Sequence, residues 1–216
     1  MPRLLARTLG TLALLPALAA ARPVRPAVSP AGAAPRPGAL DTAVFAGGCF
    51  WGVEGVFEHV RGVQSATAGY AGGTVASPSY DQVSTGETGH AESVRVVYDP
   101  LRVSYEQLLQ VFFTVAHDPT ELNRQGPDVG TQYRSAVFYR TPTQKAAVEA
   151  YLARLRTSRT FGKPIVTQVA PLARFNEAEA YHQRYMAQHP DAPYIVYNDA
   201  PKVAQLKKQF AALYQG

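Results

Sequence analysis

Residues 42–60 read TAVFAGGCFWGVEGVFEHV, and the change of rhythm inside them sets the architecture. Thr42–Ala46 is a short β-type run that ends at Gly47-Gly48. From Phe50 to Val60 the apolar residues fall at 50, 53, 56, 57 and 60, the spacing of a helical stripe. A strand thus passes through a glycine turn into a helix, with Cys49 at the junction. Working outward, Gln64–Tyr70 reads as a strand stopped by Gly72-Gly73, and residues 74–90 read as a polar loop. Glu92–Tyr98 is a strand with Val94 and Val96 on one face and Arg95 on the other. Ser104 and Gln107 form a capping box ahead of an apolar helix, YEQLLQVFFTVAH. A long polar loop follows from Asp118 to Thr131, then a β-type run at Tyr133–Tyr139. Thr141, Pro142 and Gln144 spell a second capped helix start. Ile165–Leu172 alternates as a strand, Asn176 caps a helix running through Gln188, and Pro201 opens a last helix. Five strands intermixed with about five helices predict one layered α/β or α+β domain.

The two ends of the chain differ in character. Of its 216 residues, the first forty hold Arg3, Arg7, Arg22, Arg25 and Arg36 and no acidic residue. From Asp41 onward there are sixteen basic and sixteen acidic side chains, so the net charge of +5 belongs to the leader. A neutral body offers no basic footprint for nucleic acid. Arg3 and Arg7 precede the 13-residue apolar run Leu9–Ala21, too short to span a bilayer and of signal-peptide length. Ala17, Ala19 and Ala21 offer cleavage sites. The expected organisation is a signal peptide over 1–21, a Pro/Ala-rich linker over 22–40 and a catalytic domain over 41–216. Export to a periplasm or the exterior follows, with no membrane segment in the mature form. A mitochondrial transit peptide is the alternative, since it is also arginine-rich and acid-free.

Cys49 is the only cysteine, so no internal disulfide can form. At a helix start it faces unpaired N–H groups and a partial positive charge, which favour thiolate. Phe50 and Trp51 beside it form an apolar wall. This describes a nucleophile next to a greasy pocket, although a lone cysteine also fits a small buried hydrophobe. The five histidines show no ligand spacing with each other or with Cys49, so no metal is expected. No phosphate loop, dinucleotide fingerprint or G-x-S-x-G elbow occurs.

The body resembles the A-type peptide methionine sulfoxide reductases. The match is carried by FAGGCFWGVE (45–54), GYAGG (69–73), TGETGHAESV (85–94), HDPTELNRQGPDVGTQYRS (117–135) and AEAYHQRYM (178–186), in the family's order. The resemblance implies an α+β fold: a two-layer sandwich with a ferredoxin-like mixed sheet and packed helices, in a single domain. It implies that Cys49 is the nucleophile, that Phe50 and Trp51 embrace the substrate methyl group, and that Glu92 is the acid. It further assigns Tyr80 and Tyr133 to the sulfoxide oxygen, and gives Asp128 a place holding a water or orienting the tyrosines. Two departures stand out. Ser84 occupies a position where members often have cysteine, and the tail KKQFAALYQG lacks the recycling cysteines many members keep.

The implied reaction is reduction of methionine S-sulfoxide, protein-bound or free, leaving a sulfenic acid on Cys49. Burial beside Phe50 and Trp51 would keep Glu92 protonated, and the two tyrosines would donate to the oxygen as charge grows on it. No bound cofactor is needed. With no second cysteine, the sulfenic acid must be reduced by an external thiol: a thioredoxin-like protein, a glutaredoxin-like protein or a small thiol. The expected partners are oxidised proteins and that reductant, with the chain a monomer. Two rivals are kept. One is a Cys–His hydrolase using Cys49 with His90 or His182. The other is a module that binds methionine sulfoxide without turnover. His90, two residues before Glu92, is read as a brace for its loop or a group that sets a proton position.

Overall fold

The computed structural model describes residues 38–216. The expected signal peptide, and all of the expected linker but its last three residues, lie outside them. In chain order the strands are β1 (Asp41–Ala46), β2 (Val63–Ala71), β3 (Ala91–Tyr98), β4 (Arg124–Gln125), β5 (Asp128–Val129), β6 (Ala136–Tyr139), β7 (Gln168–Pro171) and β8 (Phe175–Glu177). The α-helices are α1 (Phe50–Glu58), α2 (Tyr80–Ser84), α3 (Tyr105–Val111), α4 (Pro142–Ser158), α5 (Tyr185–Gln188) and α6 (Ala200–Gln209). One six-stranded sheet runs in the order β7-β6-β1-β3-β2-β8, and β4 with β5 forms a separate hairpin. Only the β6–β7 pair is parallel. The inner order β6-β1-β3-β2, with α1 between β1 and β2, is the split βαβ arrangement of ferredoxin-like folds. The α+β two-layer expectation therefore holds.

Strand alternation divides the side chains between two faces. Ala43 and Phe45 of β1, Ala68 and Tyr70 of β2 and Val94, Val96 and Tyr98 of β3 turn to the helices. Val53, Val56 and Phe57 of α1 are at most 1% exposed against them, each worth ~1.5–3 kcal/mol when fully buried. Val44, Ala46, Ala71, Ala91, Ala136 and Phe138 fill a smaller cluster on the opposite face. The C-terminal segment closes onto the far end of α1. Val60 bridges Tyr214, and the Gln215 N–H donates to the His59 carbonyl over 2.9 Å.

Several local expectations need correction. The loop expected over 74–90 contains α2, started by a complete Ser79–Gln82 capping box. The polar stretch 118–131 folds back on itself as β4–β5. The run expected from Tyr133 begins as a 3-10 turn, Thr131–Tyr133, and becomes a strand only at Ala136. The apolar helix that starts at Ser104, whose capping box is complete, widens to π geometry over Phe112–Ala116. Thr141 caps α4, but Gln144 does not complete a box. Its side chain accepts from Arg140 N–H at 2.9 Å and donates to the Thr42 carbonyl at 2.9 Å. The last expected strand shrinks to Gln168–Pro171. Asn176 caps no helix. It lies in β8 opposite Tyr70, and only a 3-10 turn (Ala180–His182) and the short α5 follow.

Candidate active site

Cys49 occupies the N-cap of α1 and is 8% exposed. Gly48 makes the turn before it with φ +88°, a region that L side chains rarely adopt, and a Cβ there would lie 2.6 Å from Gln125 Cβ. The β4–β5 hairpin is therefore pressed against the backbone that carries the sulfur. Cys49, Gln125, Asp128, Tyr194, Asn198 and Lys202 line one small cavity.

The sequence expectation that the helix start makes Cys49 an anion is overturned in the substrate-free protein. Burial pushes the thiol well up, and the nearby Glu92, Asp199 and Asp128 carboxylates push the same way. The Trp51 N–H is the one helix-start donor acting in the other direction. A helix terminus offers only a partial charge, which does not outweigh desolvation together with neighbouring carboxylates.

Glu92 reaches the site by strand parity. It shares the face of Val94 and Val96 and lies opposite Tyr70 in the β2–β3 ladder. The inward face runs on under the start of α1, so the carboxyl is 2% exposed and accepts the Phe50 N–H over 3.0 Å. Burial raises its pKa to about 8. The Phe50 N–H opposes this, and Asp128 and Asp199 add to it. At neutral pH Glu92 is mostly a carboxylic acid.

Tyr80 opens α2, and its N–H donates to Glu179 Oε1 at 2.8 Å. Tyr133 ends the 3-10 turn. Both are partly buried, which keeps their hydroxyls protonated, and both feel the charges of Glu92 and Cys49. The structure thus gathers Cys49, Phe50, Glu92, Tyr80 and Tyr133. Asp128 joins them from β5, but it accepts from the Tyr194 hydroxyl rather than from either tyrosine the sequence singled out. Phe50 is 1% exposed and its ring lies 6.4 Å from that of Trp51, which is partly exposed.

Sequence reasoning missed Tyr194, Asp199 and Lys202. Asp199 is fully buried, sits against Gly52 of α1, and accepts from Lys202 Nζ at 3.1 Å. Its place just ahead of Pro201 resembles a helix cap, yet its side chain caps nothing. Tyr194 carried no signal beyond being one of twelve tyrosines.

The two histidines that a hydrolase would need are already engaged. His90 accepts the Gly73 N–H on Nδ1 (3.2 Å) and donates from Nε2 to the Val75 carbonyl (2.8 Å), bracing the loop before β3. His182 accepts the Trp51 indole N–H on Nδ1 (3.2 Å). Neither is free to take a proton from Cys49. Among the described residues no group of three or more His, Cys, Asp or Glu could hold a metal ion.

A buried thiol that no free histidine serves, beside a carboxylic acid that burial holds neutral and two protonated tyrosines, fits a thiol oxidoreductase. An acyl-transfer enzyme would need a base here. Comparison with known proteins agrees. The family model described as peptide methionine sulfoxide reductase matches residues 41–214. The peptide methionine sulfoxide reductase MsrA 2 of Mesorhizobium japonicum is 55% identical over 174 residues, covering 81% of this chain and 89% of its own length. The MsrA 2 of Synechocystis is 50% identical over 171 residues, covering 79% and 80%. Reduced Mxr1 from Saccharomyces cerevisiae superposes with a TM-score of 0.65 at 32% identity, over 74% of this chain and 91% of that one. The methionine sulfoxide reductase A of Corynebacterium diphtheriae gives 0.62 at 38%, over 70% and 76%. The chain belongs to the peptide methionine sulfoxide reductase family, A type, and is a peptide-methionine (S)-S-oxide reductase.

Proposed function

We propose that Cys49 attacks the sulfur of a methionine S-sulfoxide while Glu92 gives its proton to the sulfoxide oxygen. The observation that carries this is the Phe50 N–H to Glu92 contact, which fixes a neutral acid beneath the helix start that bears the sulfur. A sulfoxide oxygen leaves poorly unless protonated, and Tyr80 and Tyr133 donate to it as negative charge builds. The substrate methyl group rests on Phe50 and against Trp51. Overall, the substrate sulfur gains two electrons and its oxygen bond breaks. The oxygen and one proton end on Cys49 as S–OH, and methionine departs.

Cys49 gives its own proton to solvent as it attacks, and solvent returns one to Glu92 after the oxygen has taken the Glu92 proton, so the protons balance. Because Glu92 is already protonated at neutral pH, it does not repel a Cys49 thiolate, so the acid that serves the oxygen also permits the anion. Asp128 acts through Tyr194, anchoring the β4–β5 hairpin across the cavity from Cys49.

A reductant thiol then attacks the S–OH, releases water and forms a mixed disulfide, and a second thiol frees Cys49. A thioredoxin-like protein, a glutaredoxin-like protein or a small thiol fits this chemistry, because the chain has no second cysteine of its own. We also propose that the chain is exported and acts as a monomer on oxidised proteins. The support for export is Arg3 and Arg7 ahead of the Leu9–Ala21 run, with no acidic residue before Asp41. Finding the mature N-terminus in a cell fraction tests export, and a sedimentation measurement tests the monomer.

The decisive assay supplies the chain with separate R and S sulfoxides of N-acetylmethionine and a dithiol. The S form is consumed and the R form persists. Survival of both defeats the reading. Steady turnover with a thiol donor also eliminates a module that only binds.

A further inference from the structure

We infer that His182 is a positioning residue that sets the angle of the Trp51 indole, and through it the fit of the substrate methyl group. Trp51 Nε1–H donates to His182 Nδ1 over 3.2 Å. To accept that bond, the ring must be neutral and carry its proton on Nε2. That Nε2–H is buried and finds no partner among the described residues, and the residue is 2% exposed. A buried donor without an acceptor costs stability, and the Trp51 bond on the opposite nitrogen offsets part of that cost.

The surroundings keep the ring in that form. It packs on Phe50 (centroids 5.0 Å), Tyr80 (4.3 Å) and Tyr181 (4.2 Å). Burial lowers its basicity, while the Glu179 carboxylate nearby pulls the other way. The segment bearing His182 is itself pinned. The Gln183 side chain bonds both the N–H and the carbonyl of Ala68 in β2, and Glu54 of α1 accepts the Arg184 N–H at 2.8 Å. Trp51 is thus held on one face by Tyr185 (3.8 Å, 11°), at an edge by Tyr194 (5.8 Å, 83°), and at its N–H by His182. Stacking on Tyr185 resists tilting of the indole about Cβ–Cγ, and the His182 bond fixes where its N–H end lies along that face.

The inference rests on Trp51 contacting the substrate methyl, and the test separates the two claims. Trp51 is the only tryptophan, so intrinsic emission reports this site alone. His182→Phe keeps a planar ring and loses the acceptor. His182→Asn places an oxygen where Nδ1 was, and His182→Gln places its acceptor one bond too far out. The measurements are Trp51 emission, circular dichroism, and KM and single-turnover rate for N-acetylmethionine S-sulfoxide. The Phe and Gln variants shift the emission and raise KM by roughly fivefold, the size of one net hydrogen bond, with the chemical rate within about twofold. Asn restores both. If Phe fails to fold, the Asn–Gln contrast still decides. Equal behaviour of Asn and Gln, or unmoved emission, reduces His182 to packing and overturns the inference. A Trp51→Phe variant with unchanged KM, alongside shifted emission in His182→Phe, refutes instead the role given to Trp51.

Discussion

Replacing Glu92 with glutamine separates two consequences of one buried carboxyl. Glutamine keeps the shape and still accepts the Phe50 N–H, but it has no proton to give. The chemical step should slow by ~10²–10⁴-fold, the usual worth of a positioned acid. Stability should move the other way. The folded pKa of about 8 lies above the ordinary carboxylate range, so the folded protein binds this proton more tightly than the unfolded chain does. The native state therefore holds its full share of stability only below the ordinary carboxylate pKa and loses it as pH rises through about 8. At neutral pH the loss is about 3 kcal/mol, roughly 1.4 kcal/mol for each unit by which the pH exceeds the ordinary carboxylate pKa. Glu92→Gln removes the titration, so the variant should match wild type in acid and exceed it by a few kcal/mol at alkaline pH. Rapid-quench single turnovers measure the first effect, and urea unfolding across the pH range measures the second. In wild type, the single-turnover rate should also fall as pH passes about 8, where the acid is lost. An unchanged single-turnover rate in the variant removes Glu92 from the acid role. Parallel unfolding curves at every pH refute the burial argument.

Three further outcomes follow from the same geometry. Cys49→Ser abolishes methionine formation, since a hydroxyl is a far weaker nucleophile, while wild type without reductant releases about one methionine per chain and leaves a sulfenic acid that a dimedone-type reagent traps. Gly48→Ala forces a side chain into φ +88° with its Cβ 2.6 Å from Gln125; it should cost ~1–3 kcal/mol in chemical denaturation and lower activity by displacing the β4–β5 hairpin. Tyr194→Phe strips the half-buried Asp128 carboxylate of its donor; unfolding should become easier by ~1–3 kcal/mol, and the Asp128 carboxyl resonance should titrate higher than in wild type.

Much of the frame was legible where local rules and tertiary packing agree. The strand–Gly-Gly–Cys–helix passage, the Ser104 capping box and the Thr141–Pro142 start of α4 all form because neighbouring residues alone satisfy them. Burial of Glu92 was legible in principle too: counting in twos back from Val96 and Val94 lands on it, and the inward face continues that far. What stayed hidden depends on distant partners. The helix-like composition of AEAYHQRYM yields to β8 pairing with β2 and to side-chain bonds from Gln183 and Glu179 that outbid a helix. Asp199 resembles a helix cap until the close approach of Gly52 shows where its carboxylate goes. The state of Cys49 was misjudged because a helix start is visible in sequence, whereas the desolvation that opposes it is a property of the packed whole.

The return of the chain to the far end of α1 has a practical consequence. Cys49 sits at one tip of that helix, while Tyr214 and Gln215 are fastened near the other, some 13 Å away along nine residues at ~1.5 Å each. A surface linker or fusion partner attached after Gly216 would leave from the tip remote from the sulfur, so the enzyme can be immobilised there with its mouth facing solution.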